Sequence, residues 1–327
     1  MNKWLKRTLV ISVAVTAAGA VLLGAGMALG GSPSFYYDAD GLHVKENTKE
    51  AVRKDYVLEN TLTGKLSELE VELKEADLEI VSGTDWSVEY SLDGGREEPF
   101  YSVEDGVLIL REGDYADRGG FQVSLGFGDG WMRQPEETAR SPYVKITVPD
   151  NAVLSRVSIH NRYGKISIGK DLRAEAAGIE GNGGSIRLDG WTGKKLTVEA
   201  GDGELSAGTL KGEEVSITGR SGALQIDSLD AQLAVLETEY GELTVGIDGG
   251  TVEACSDDGE INLNLNGSME DFGVRLYTEY GTVRIPQGMV EPDEEEGSTH
   301  FVRPAKGEET TAVTVETEYG DIRIREK

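Results

Sequence analysis

Cysteine and histidine are scarce in this chain of 327 residues, and each shortage removes a class of chemistry. The lone cysteine, Cys255, cannot close an internal disulfide, so packing and backbone pairing must hold the fold. The three histidines, His43, His160 and His300, stand far apart with no metal-ligand spacing among them. A Gly-x-Ser-x-Gly elbow, a phosphate-binding loop and a His-Glu-x-x-His motif are all missing. Neither a catalytic residue nor a cofactor is expected, and the chain does not read as an enzyme. Carboxylates are plentiful, which keeps a polysaccharide-active enzyme working through an acid pair as a weak third option.

Positive charge is short as well. Against 59 Asp and Glu there are 32 Lys and Arg, a formal net charge of −27. Such a surface repels nucleic acid and anionic lipid, so no nucleic-acid partner is expected. Long apolar runs are missing with one exception, Leu9–Leu29, inside the uncharged stretch Thr8–Gly31. A bilayer-crossing helix needs about 20 such residues. Lys3, Lys6 and Arg7 precede the run and Asp38 and Asp40 come after it, which orients the N-terminus inward. Residues 1–7 are thus expected as a cytoplasmic tail and 8–31 as a transmembrane anchor. Everything beyond is then extracellular, and the protein a single-pass member of the cell membrane. Ala28-Leu29-Gly30 also suits signal-peptide cleavage, although a signal peptide's apolar core is usually only about 7–15 residues. No cysteine directly follows the run, so a lipoprotein anchor is not expected.

What the sequence does hold is a repeat. Gly164, Gly184, Gly203, Gly222, Gly241, Gly259, Gly281 and Gly320 share one apolar frame, with Ala, Val, Ile or Leu at seven and five residues before and two and four after. All 32 sites conform, in a chain that is 38% hydrophobic, so chance does not account for the pattern. The intervals are 20, 19, 19, 19, 18, 22 and 39 residues, the last being two periods. Alternation around a fixed period predicts an all-β fold, a β-solenoid of two-strand coils of about 19 residues whose inward side chains form a shared core. The glycine is expected at the corner between strands, where a positive φ is easiest without a Cβ. Less regular alternation, including Leu69, Val71, Leu78 and Ile80, extends the solenoid over 66–327 and leaves 32–65 as a juxtamembrane stalk.

Outward positions carry the candidate contacts. Tyr163, Tyr240, Tyr280 and Tyr319 each precede a corner glycine. This placement suits edge-covering aromatics, with sugar stacking as the sharper alternative. Glu239 and Asp257 lie two before their glycines, and Glu242 and Glu260 one after. These four are a candidate cation ladder for weak calcium binding; a solvated acidic edge is the simpler reading, and a dock for a basic partner the third. Two insertions, 113–142 and 287–309, interrupt the frame, and Phe121, Phe127 and Trp131 in the first are the candidate partner-binding surface.

The apolar start, the segment Val144-Lys145-Ile146-Thr147-Val148-Pro149, and coils such as Val157–Ile168 together resemble the bacterial putative-adhesin family, long known as a domain of unknown function. The resemblance spans roughly 66–327 and implies a β-solenoid displayed outside the membrane. It carries no catalytic residues. The function expected is a membrane-anchored, non-catalytic adhesion or interaction scaffold whose partner is a cell-envelope protein or surface polymer. The alternative is an accessory of an envelope-stress signalling system that touches a membrane partner in cis. The final coil is expected to lie uncapped, with Arg323, Arg325 and Lys327 discouraging edge pairing. A monomer is therefore predicted; sedimentation at micromolar concentration should find one, and a tight dimer would contradict it.

Overall fold

The computed structural model describes residues 56–62, 64–92, 98–113, 141–286, 292–295, 298–305 and 311–326. It also describes the strands Ser34–Asp38, Gly41–Val44 and Gln122–Ser124 and the single helical positions Ser12, Gly19 and Leu22. The expected anchor over 8–31 lies otherwise outside the described residues; among those described, no helix is long and apolar enough to cross a membrane. The chain divides into two units. In one, Ser34–Asp38 pairs antiparallel with both Gly41–Val44 and Gln122–Ser124. Part of the expected stalk is thus strand. So is Tyr56–Thr61, which pairs antiparallel with Ser87–Leu92 in the second unit, ahead of the expected start at 66.

The second unit is the solenoid. Its coils stack in parallel and in register: Leu196 lies beside Val215, Val215 beside Ala234, and Ala234 beside Val252. Of the 32 frame residues, 31 are buried; Ile285, in the outermost coil, packs on the core half-buried. Alternation drives this, because a strand with one face on the core must carry apolar groups at every second position.

Two features of the coil differ from the two-strand expectation. The middle coils are single long strands, Leu205–Gly219 and Leu224–Thr238, each 15 residues and broken only at the glycine corner. They also bury a third inward column, Leu172, Trp191, Leu210, Leu229, Ile247 and Leu265, each 0% exposed. Register shifts at Ile168/Asp171 and Ile226/Leu229 move this column's offset from the glycine from coil to coil, which hides it from a fixed frame. Trp191 is its largest member. Gly193 and Gly212 give the indole room, since a Cβ on either would approach the ring within 3.0 Å.

The corner glycines are required for a different reason from the one expected. None has a positive φ; among described residues only Gly64, Gly106, Gly250 and Asp105 do. What each lacks is space. A Cβ on Gly184 would drive into the Gly164 carbonyl oxygen, one on Gly203 into Gly184, one on Gly222 into Gly203 and one on Gly241 into Gly222, all far inside 3.0 Å. The column opens at Ala76, whose frame residues Leu69, Val71, Leu78 and Ile80 are buried like the rest. Ala76 keeps its Cβ because no described corner precedes it. There the buried Glu112 carboxylate instead accepts from the amides of Lys74, Glu75 and Ala76 at 2.5, 3.0 and 3.3 Å.

The end of the stack overturns the uncapped-terminus reading. After Thr251–Ser256 the next layer is Thr311–Thr317, with Phe272–Thr278 beyond it. The last coil in sequence is therefore inserted one layer inside the end, and Ile322–Glu326 is flanked by Ile261–Leu265 and Val283–Arg284. Chain between them forms the cap: Ser298–Arg303 runs antiparallel to Phe272–Thr278 and sets the buried Phe301 opposite Leu276. Within the second insertion, the described strand Ser298–Arg303 thus closes the core. The short strand Asp293–Glu295 pairs antiparallel with Ser298–Arg303 in turn and covers part of it, which blunts that edge.

Gly222→Ala is predicted to destabilise the chain by about 2–4 kcal/mol, since backbone and not a flexible side chain blocks the Cβ. Gly178→Ala, where nothing lies within 4 Å, should be neutral within about 1 kcal/mol. Chemical-denaturation midpoints of the two variants check the contrast.

Candidate functional site

The corner that packs glycine inward also pushes the two residues before it outward. A buried polar side chain three positions before the glycine fixes this turn. The corner amides of Gly241, Gly259, Gly281 and Gly320 donate to the hydroxyls of Thr238, Ser256, Thr278 and Thr317 at 3.1, 2.8, 3.0 and 3.0 Å. The Asn161 carboxamide does the same for Gly164 at 3.0 Å and donates across to the Ala76 carbonyl at 2.8 Å. These caps are functional residues that the apolar frame did not reveal. Their signal is a hydroxyl three before the glycine, visible within the thrice-repeated Thr-Glu-Tyr-Gly.

Backbone bonds fix the order of what is displayed. The amide of Tyr240 donates to Arg220, that of Asp258 to Glu239, that of Tyr319 to Asp257 and that of Tyr280 to Glu318, at 2.8, 2.8, 2.9 and 2.8 Å. Along the corner the residues therefore run Tyr240, Asp258, Tyr319, Tyr280, one strand spacing of about 4.8 Å apart. Tyr319 and Tyr280, 39 apart in sequence, stack face to face with centroids 5.1 Å apart and planes 15° from parallel. Tyr240, Tyr280 and Tyr319 are 62%, 61% and 55% exposed, so they form a ridge and not an edge cover. Each of the latter two shares a hydrogen bond with the glutamate before it, Glu279 or Glu318, which pushes both phenols up from their ordinary pKa.

The proposed cation ladder is divided by this geometry. Glu239 and Asp257 lie on the ridge side of the glycine, on neighbouring coils. Glu242 and Glu260 lie on the other side, where the protein's own donors meet them. Glu242 accepts from the Asn262 carboxamide at 2.9 Å and the Thr244 hydroxyl at 3.2 Å, and Glu260 pairs with Arg323 at 3.0 Å. Among the described residues no three Asp, Glu, His or Cys side chains converge as a metal site. Phe121, Phe127 and Trp131 lie outside the described residues.

Charge is unevenly paired along the stack. Earlier coils interleave cations with carboxylates: Lys194 with Glu175 at 3.0 Å, Lys195 with Glu214 at 2.7 Å, Lys211 with Asp230 at 2.6 Å, and Arg220 with Asp202. Near the first coils a groove of about 470 Å³ is lined by Glu68, Glu70 and Glu72 opposite Arg156 and His160. Its polar groups too have local partners: Arg111 pairs with Glu70 at 2.6 Å, and Glu180 lies 2.9 Å from the His160 ring. The ridge end is different. Glu237, Glu239, Asp257, Asp258, Glu316 and Glu318 are exposed, and none forms an ion pair with a described residue.

Cys255 reports the consequence. It faces outward between Glu237 and Glu316 on adjacent coils. Partial desolvation first, and then Glu237, Asp257, Glu316 and Glu253, push its thiol up. Because the folded thiol holds its proton to higher pH, alkylation by iodoacetamide should be slower at pH 8 than for a short cysteine peptide. Its pH–rate midpoint should lie higher, and should fall in Glu237→Gln/Glu316→Gln.

The chain is similar to known proteins over most of its length. The protein-family model described as Toastrack DUF4097 matches residues 66–325. Among solved structures, the "putative adhesin" of Parabacteroides distasonis is 14% identical over 84% of this chain and 98% of its own, with a TM-score of 0.46. The "putative adhesin" of Bacteroides fragilis is 12% identical over 83% and 97%, with a TM-score of 0.38. A "putative cell adhesion protein" of Clostridium sporogenes is 14% identical over 84% and 100%, with a TM-score of 0.22. No curated protein matches the chain.

Proposed function

The chain belongs to the Toastrack DUF4097 family, and from that premise we propose that it is a non-catalytic interaction scaffold displayed at the cell surface. The observation that carries this reading is the corner ridge. Three tyrosines, each more than half exposed, stand on a backbone ladder that leaves them no freedom to retreat into the core. Exposed aromatics on a rigid frame suit contact, since they cover much area at little cost in side-chain entropy. In this reading the apolar run at 8–31 anchors the chain to the membrane and the solenoid stands outside it.

Photo-reactive residues at Tyr240 and at Trp131, introduced separately into the full chain on intact cells, test the proposal. Capture of wall glycan, of an extracellular polymer or of a protein on an apposed cell is the expected outcome. Capture of a polytopic membrane protein in the same cell would instead favour the signalling-accessory role. Protection of the solenoid from protease added outside the cell would overturn surface display altogether.

A further inference from the structure

The tyrosine ridge selects a partner by charge. Its core is Tyr240, Tyr319 and Tyr280, and the charged residues directly before those rings and between them are all acidic: Glu239, Asp257, Asp258, Glu318 and Glu279, with Glu237 and Glu316 behind them. Cations on the same coils lie elsewhere: Arg284 and Arg323 are past the glycines, paired with Asp321 and Glu260, and Arg275 is five residues before Tyr280. Arg220, which borders the ridge, is already held by Asp202 through two hydrogen bonds. We propose that this face docks a lysine- or arginine-rich segment of a partner polypeptide. The inference rests on the interaction-scaffold reading and names the chemistry of its partner.

The spacing suits such a ligand. Tyr240 and Tyr319 are separated by the single layer of Asp258, hence by about two strand spacings, roughly 10 Å. A cation centred between two rings at that separation lies about 5 Å from each, within the range in which an aromatic face attracts it. Asp258 lies between the two tyrosines on the ladder, with the Glu239 and Asp257 positions directly before Tyr240 and Asp258. A guanidinium or ammonium there gains both ring faces and carboxylates. A neutral sugar would gain only the rings, and an anion would be repelled. The stacked pair Tyr319 and Tyr280 extends the same strip by one layer, so several basic side chains along an extended segment can engage at once.

A fluorescein-labelled arginine–serine repeat peptide is the probe, with the full-length chain in neutral detergent and anisotropy as the readout. The peptide should bind, its citrulline–serine counterpart should not, and added salt should weaken the complex. Tyr240→Ala/Tyr319→Ala and Glu239→Gln/Asp257→Asn should each weaken binding about tenfold. Tyr240→Phe/Tyr319→Phe, which keeps the ring faces, should stay within about threefold of the parent. Glu68→Gln/Glu104→Gln removes the same charge at the opposite end of the stack and should change binding less than about twofold. Equal loss from the two charge-removing variants would overturn the proposal, since attraction would then be non-specific. So would full affinity in the alanine variant, or absence of peptide binding. Such a failure leaves cross-linking on cells unaffected, whereas failed surface display would leave peptide binding intact.

Discussion

Each coil's corner glycine rests on the carbonyl of the corner before it, and the rest of the stack depends on that contact. The approach is closer than any Cβ allows, from Gly164 on Ala76 through to Gly281 on Gly320. It brings the frame residues of neighbouring coils side by side, so that Val215 meets Ala234 and Leu224 meets Leu243. In-register stacking lets a coil of under 20 residues, too small to bury a core of its own, share one with its neighbours. Hydroxyls such as Thr238 and Thr317 complete the turn by satisfying amides that would otherwise be buried without a partner. Backbone proximity and not backbone conformation is what glycine supplies here.

The same contact makes neighbouring layers interchangeable, and the C-terminal end exploits this. Coils 272–285 and 311–324 carry equivalent inward residues, so either satisfies the strand Thr251–Ser256. They differ in the strands available to cover them. Phe272–Thr278 has the antiparallel strand Ser298–Arg303 over its free edge, while Thr311–Thr317 has parallel neighbours on both sides. Placing the capped coil outermost closes the core with Phe301 and leaves the uncapped one inside. At the other end of the same sheet the antiparallel pair Phe100–Glu104 and Val107–Arg111 closes the stack in the same manner.

Because the frame positions are held to Ala, Val, Ile and Leu, most variation falls on the outward ones, and there the coils diverge. The early coils set lysine and arginine against carboxylates one layer away, pairs worth about 0–1 kcal/mol each at an exposed surface. At the ridge the later coils replace those cations with carboxylates beside tyrosine, while Arg284 and Arg323 keep their pairing with Asp321 and Glu260 on the other side of the glycine. Such a change does little for the stability of the stack; it alters what the surface attracts. The out-of-sequence insertion matters here too. It sets Tyr319 between Asp258 and Tyr280, making one stacked pair of two rings from coils distant along the chain.

The period, the inward frame and the all-β class were legible in the residues alone, because alternation and glycine spacing are local consequences of one strand face meeting a core. So was the family. The third core column around Trp191 was not, since bulges shift its offset by a residue and only the ladder shows which side chains meet. Nor was the reason for the corner glycines, which involves the carbonyl of another coil. The candidate acids were visible in the residues, but which of them the protein's own Asn262 and Arg323 approach depends on neighbours a full coil or more away. By itself the sequence determined what each coil is, because a coil's inward pattern is written within its own residues. Only the tertiary structure decided the order in which coils lie. Equivalent coils present the same inward face, and the choice between them is made by the cap and the edges it covers.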